Sequence, residues 1–181
     1  KKEKKINNIL TTIYSVKNLF SFSVSKKILQ GKLLAKIKGN VELESKSEWL
    51  TISGPVSFDE MNRLYSNFAL NLNILELRNT YLLKYPVYKL HLRTFEIPMC
   101  AGIQITTYND ELSSYFEEDK EIVFYRDLSE LIDKCRFYLD AKKGNIRKMM
   151  RKNIRIRAEQ EHTWWNRFTL IFDKLELGGK L

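Results

Sequence analysis

Arg93 and Glu96 stand three residues apart in the run Arg93-Thr94-Phe95-Glu96-Ile97-Pro98-Met99-Cys100-Ala101-Gly102. In a helix that spacing puts both side chains on one face. A guanidinium suits an anion, and a carboxylate suits a pair of hydroxyl donors. The same two groups also suit a bland use, as an internal ion pair or as helix capping. Other chemistries find little support. His91 and His162 are the two histidines, and neither belongs to a Ser/His/Asp arrangement. There is no G-x-G-x-x-G and no G-x-x-x-x-G-K-[ST], so the standard dinucleotide and P-loop fingerprints are missing. Cys100 and Cys135 are far apart, with no C-x-x-C or Cys/His cluster, so no metal site is expected. Two small thiols in a reducing cytoplasm are the expectation instead.

The elements that must position Arg93 and Glu96 follow from periodicity. The pair sits on a helix starting near His91, which feeds a strand from Ile103 to Thr106. Upstream, Ile6–Phe22 has partly helical spacing, and a helix starts at Ser25 with Ile28, Leu29, Leu33, Leu34 and Ile37 on one face and Gly39-Asn40 ending it. Val41–Ile52 reads as a strand or two. Gly54-Pro55 is a turn, and Ser57 with Glu60 forms a capping box for a short helix. Phe68–Ile74 reads as a buried strand with Asn71 and Asn73 on one face. Leu75–Leu92 is a long irregular connection, a kind often functional. Downstream come a short helix or turn at Asp110–Phe116, a strand at Glu121–Tyr125, and a helix capped by Asp127 with Leu128, Leu131, Ile132, Cys135 and Tyr138 as its inner stripe. A basic helix spans Lys142–Gln160, with Ile146, Met149, Met150, Ile154 and Ile156 facing inward. A last helix runs from Thr163 to about Leu177, its Trp164 and Trp165 expected in a core.

Alternating strands and helices predict an α/β fold: a Rossmann-like, mainly parallel sheet with helices on both faces and a helical C-terminal tail. Residues 1–50 form an N-terminal helical and strand part, and 51–181 the main domain. Such sheets bind ligands beyond the carboxyl ends of their strands. Gly54-Pro55-Val56-Ser57, the loop after Asn73 and the helix of Glu96 are expected to converge there. The 181 residues carry a net charge of +9, which favours an anionic partner. No run of about 18 apolar residues spans a membrane, and no apolar signal core follows the lysine-rich start.

Four segments taken together resemble the CgeB-like (spore-maturation type) glycosyltransferases. These are Arg93–Gly102; Glu121-Ile122-Val123-Phe124-Tyr125; Glu161-His162-Thr163 with Arg167; and Gly54–Met61 with Leu70-Asn71-Leu72-Asn73. The likeness covers about Ser53–Lys174. It implies the donor-binding C-terminal half of a GT-B glycosyltransferase, transferring a sugar from a nucleoside-diphosphate sugar to a glycan, protein or other acceptor, with retention and without a metal or other cofactor. By the same resemblance Glu96 accepts hydrogen bonds from the ribose hydroxyls, backbone groups near Pro55 and Val56 hold the base, and Ser57, Asn73, Ala101 and Gly102 complete the nucleotide site. Arg93 serves as the catalytic cation at the diphosphate.

Two features depart from the pattern. The E-x₇-E pair of such enzymes would put its first glutamate at Tyr88, and the double glycine reads Ala101-Gly102. The chain has room for one of the two Rossmann-like domains of GT-B, so either an N-terminal domain lies outside it or it is an incomplete relative. The rival expectation is a basic non-catalytic domain on the same scaffold, contacting nucleic acid or an anionic membrane surface. Peripheral membrane contact is compatible with either reading, and nucleic acid is the less expected partner.

Overall fold

The computed structural model describes residues 22–38, 51–77 and 80–175. The expected segments at Ile6–Phe22 and Val41–Ile52 lie almost wholly outside those residues, as does the end of the last helix. The chain divides into two compact units, Lys1–Ile52 with Glu76–Lys89, and Ser53–Leu75 with Leu90–Leu181.

In the first unit, helix α1 (Phe22–Lys38) packs on a 3-10 turn at Thr80–Leu82. Ile28 is buried, but Leu29, Leu33 and Ile37 of the expected inner face are exposed. The connection after Leu75 is more ordered than its sequence suggests. Leu77 N–H donates to the Val87 carbonyl at 2.7 Å, Glu76 and Tyr88 form an antiparallel bridge, and the buried Thr80 hydroxyl donates to the Leu77 carbonyl at 2.7 Å. Tyr88, where the resemblance expects a glutamate, belongs to this small turn.

The second unit is the α/β domain. In chain order it contains α2 (Phe58–Asn67), β1 (Asn71–Asn73), α3 (Arg93–Met99), β2 (Gln104–Thr107), α4 (Asp110–Ser113), β3 (Val123–Tyr125), α5 (Leu128–Leu139), α6 (Gly144–Glu161) and α7 (Trp164–Lys174). The strands form a parallel sheet in the order β1-β2-β3, with Asn71 opposite Gln104 and Ile105 opposite Val123. Both faces are buried at β2 and largely so at β3, as parallel sheets require, while β1 is open on one face. Ile103, Ile105 and Val123 pack on Tyr138 and Met150, with Leu131 and Cys135 alongside. Phe124 packs with Leu75, Leu112, Phe116 and Ile154, and Phe95 of α3 lies against them. Asn71 and Asn73 do share one buried face, while Leu72 between them is exposed.

Helical periodicity overstates three inner stripes. Leu128 and Ile132 of α5 are exposed, as are Met149 and Ile156 of α6. The sheet here has three short strands, so each helix meets a narrow apolar surface, and only about one residue per turn reaches it. In α6 those are Met150, Ile154 and Ala158. Trp164 and Trp165, expected in a core, are instead 62% and 78% exposed, because α7 buries no residue among those described.

Arginines of α6 fasten the other helices. Arg147 donates from Nη1 to the Tyr138 and Asp140 carbonyls at 2.6 and 2.8 Å, at the end of α5. Arg151 donates to the Ser66 and Phe68 carbonyls at the end of α2 and to the Ala101 carbonyl after α3. Cations at helix C-termini satisfy leftover carbonyls and oppose the negative end of the dipole. Arg157 pairs with the largely buried Glu121 at 3.2 Å and with Glu161.

Candidate functional site

A cleft of about 660 Å³ runs along α3. Thr94, Ile97 and Pro98 turn toward the sheet, so Leu92, Phe95, Glu96, Met99 and Cys100 form the cleft wall. Facing them are Phe58, Asn62, Arg63 and Ser66 of α2, Arg155 of α6, and His162, Thr163, Trp164 and Arg167 around the start of α7. No residue of the three strands lines it. The cleft therefore follows a helix groove instead of crossing the carboxyl ends of the strands.

The local sequence explains how α3 presents Glu96. Its end is a Schellman turn, with Gly102 N–H donating to the Ile97 carbonyl and Ala101 N–H to that of Pro98, both at 2.9 Å. Ala101 takes the left-handed conformation this turn needs, at φ 54°. Gly102 then passes so close to α2 that a Cβ would lie 2.7 Å from the Tyr65 carbonyl oxygen. Asn71 Nδ2 donates to that same carbonyl at 3.1 Å.

Glu96 is half-buried and makes no ion pair among the described residues, so the internal pair with Arg93 does not form. Arg93 is exposed on the first turn of α3 and is not part of the cleft lining. Three other guanidinium groups are. Arg155 pairs with Glu159 at 2.6 Å. Arg167 lies over the Phe95 ring, 4.0 Å from its centroid, and Arg63 is exposed; neither has an ion-pair partner among the described residues. With one carboxylate against two cations that have no ion-pair partner among the described residues, and the paired Arg155 beside them, the cleft favours an anion that also carries hydrogen-bond donors for Glu96.

Two titratable groups here are shifted toward their neutral forms. Burial pushes the Cys100 thiol above its ordinary value; Arg155 acts against this and Glu96 adds to it. Cys100 Sγ–H donates to Asn62 Oδ1 at 3.3 Å, which favours the thiol form. Burial also lowers His162, among the rings of Phe95, Tyr115 and Phe116. Its Nε2 lies 3.2 Å from the Tyr115 carbonyl oxygen, and a carbonyl can only accept, so Nε2 carries the proton.

A model of the glycosyl transferase-like family matches residues 26–173 of the chain. The chain belongs to this family. No curated protein and no solved structure matches it. In this glycosyltransferase-like chain Glu96 lies on the cleft wall, while the other residues expected at the nucleotide are spread around it. Pro55 and Val56 are exposed before α2 and outside the lining. Ser57 is the N-cap of α2, its Oγ accepting from Glu60 N–H at 3.2 Å, one half of the expected capping box. Asn73 is fully buried and donates from Nδ2 to Thr94 Oγ1 at 3.2 Å, behind α3. Ala101 and Gly102 shape the turn that sets α3.

The cleft also contains residues that sequence reading does not single out as a site. Phe58, Asn62 and Ser66 follow one another at four-residue spacing, as do Leu92 and Cys100 on either side of the expected Glu96. Such a stripe on a short helix is the signal that could have found them. Among the described residues no group of three or more His, Cys, Asp and Glu side chains is placed to hold a metal ion. No helix among them is long and apolar enough to cross a membrane.

Proposed function

We propose that the cleft along α3 is the donor site of a CgeB-like, GT-B-type glycosyltransferase, taking a nucleoside-diphosphate sugar. The single observation that carries this is the Glu96 carboxylate, uncommitted to any ion pair among the described residues, on a wall facing the guanidinium groups of Arg63, Arg155 and Arg167. An acceptor-only carboxylate suits the two ribose hydroxyls, and guanidinium groups suit a diphosphate. In this reading Arg63 and Arg167, the cations without ion-pair partners among the described residues, take the phosphates, with Arg155 beside them and Arg93 outside. The bond from the anomeric carbon to the diphosphate oxygen breaks, a bond from that carbon to an acceptor hydroxyl oxygen forms, and the hydroxyl proton passes to the leaving diphosphate. The arginines stabilise the charge gathering on the leaving diphosphate, which is the work a metal would otherwise do. Retention and a glycan, protein or other acceptor are what the family resemblance implies, and a second Rossmann-like domain would supply the acceptor side. A nucleotide-sugar donor and the two free thiols fit a cytoplasmic enzyme.

The rival reading as a nucleic-acid or membrane-binding module loses ground because much of the basic charge on α6 is committed internally. Arg147 and Arg151 serve helix ends, and Arg155 and Arg157 serve carboxylates. A thermal-shift titration with UDP and GDP tests the donor site. Ligand at a hundred times its Kd stabilises by about 2.7 kcal/mol. The wild type is expected to shift, and Glu96→Ala to need at least about tenfold more nucleotide, since hydrogen bonds to a charged group contribute roughly 1.5–3 kcal/mol. No shift at millimolar nucleotide, or an unchanged response in Glu96→Ala, would sink the reading.

A further inference from the structure

Trp164 is not part of either buried core cluster. It is 62% exposed, yet its ring is stacked on another. Its ring stacks on Phe168 at 5.9 Å and 28°, and Phe168 stacks on Phe172 at 6.2 Å and 22°, so a ladder of rings at four-residue spacing supports it from behind. The residue before it, Thr163, fixes the start of α7 through a reciprocal cap with Asn166. Trp164 lines the cleft together with Thr163 and Arg167, whereas the more exposed Trp165 does not.

A nucleoside diphosphate has three chemical parts: a charged diphosphate, a diol and a flat aromatic ring. The arginines match the first and Glu96 the second. The third needs a flat apolar surface whose orientation is already set, so that little ordering is lost on binding. We infer that the Trp164 indole is the platform on which the nucleobase of the donor stacks, an inference that rests on the donor-site reading above. It moves the base from the backbone near Pro55 and Val56 to the start of α7. Because every base has a π-face, stacking alone tolerates uracil and guanine alike.

Calorimetric titrations of the full chain with UDP, GDP, inorganic pyrophosphate and ribose 5-phosphate test the platform. Trp164→Ala should bind UDP and GDP about tenfold more weakly, a typical loss for one stacked base. Pyrophosphate and ribose 5-phosphate should bind it as they bind the wild type. Trp164→Phe, which keeps a ring, should recover most of the affinity, and Trp165→Ala should match the wild type. If the wild type binds UDP and Trp164→Ala binds it equally well, the platform is wrong and the donor site stands. An equal loss for pyrophosphate would also overturn the platform, since the change would then act at the phosphates. If the wild type binds neither nucleotide, both ideas fall.

Discussion

Two walls of the cleft, α3 and the start of α7, are held in opposite ways. Helix α3 has seven residues and no side-chain cap at its N-terminus, so little in its own sequence makes it stable. It is fixed from outside: Ile97 and Pro98 are buried, Gly102 lies against α2, and Arg151 binds the Ala101 carbonyl. Helix α7 is the reverse. It has a full capping box, and Asn166 Nδ2 also donates to the Gln160 carbonyl at 2.9 Å, yet it buries no residue among those described. A group that needs a fixed position, such as a carboxylate meeting two hydroxyls, belongs on the first kind of wall. A stacking surface, which tolerates sliding, can sit on the second.

The sharpest way to break this contrast is Gly102→Ala. The new methyl would meet the Tyr65 carbonyl oxygen at 2.7 Å, Asn71 Nδ2 at 2.9 Å and Ile97 Cγ2 at 2.9 Å. Two of these neighbours belong to the sheet and to α3, and the third is backbone, so there is little room to yield. A loss of about 2–3 kcal/mol is expected, at the upper end for overpacking. Urea denaturation measures it, and nucleotide affinity should fall as well because α3 must shift. A stable Gly102→Ala protein with normal binding would mean that α3 is not held by this close approach.

How much of this is readable beforehand differs between the two walls for the same reason. The parallel strands, the Asp127 cap and the shared face of Asn71 and Asn73 depend on local period and capping, and sequence carries both. Glu96 is legible because its neighbours form a recognisable run. The direction it faces is not, since that depends on which side of α3 meets the sheet. The fate of the α6 arginines is equally hidden. A run of basic residues reads as a solvated or anion-binding face, but Arg147 and Arg151 reach carbonyls at the ends of other helices, those of Arg151 far away in sequence. Hydrogen bonds to backbone leave no trace in composition. The exposure of Trp164 escapes a sequence reading because an aromatic stripe at helical spacing implies burial, and nothing in the stripe says whether a partner surface exists.

The second wall should respond differently. Thr163→Ala removes the hydroxyl that accepts from Asn166 N–H at 3.2 Å and with it the reciprocal cap. A lost N-cap costs about 1 kcal/mol. Because α7 buries no residue among those described, that loss should stay local. Amide exchange in the first turns of α7 should speed up several-fold while the urea midpoint of the whole unit barely moves. A global loss as large as that of Gly102→Ala would show that α7 is coupled to the core as tightly as α3, and the contrast between the walls would disappear.

The smallest effect is one of slope, and it probes where the two walls touch. His162 lies between them, against Phe95 of α3 and one residue before the cap of α7. Burial is the largest cause holding it below its ordinary value, with Arg167 and Arg157 adding to this, while the Tyr115 carbonyl and Glu161 oppose it. An unfolded histidine titrates near 6.5. Between that value and the lower folded one, the unfolded chain binds more protons, so stability rises with pH across this window. The contribution is fully present above the ordinary histidine value and is lost as pH falls through the folded one. A His162→Gln variant places there an amide that can still donate to the Tyr115 carbonyl but does not titrate. Urea midpoints between pH 7 and pH 5 should therefore fall more steeply for the wild type than for His162→Gln. Equal slopes would mean that His162 is not desolvated in the folded protein, and that the junction of the two walls is open to water.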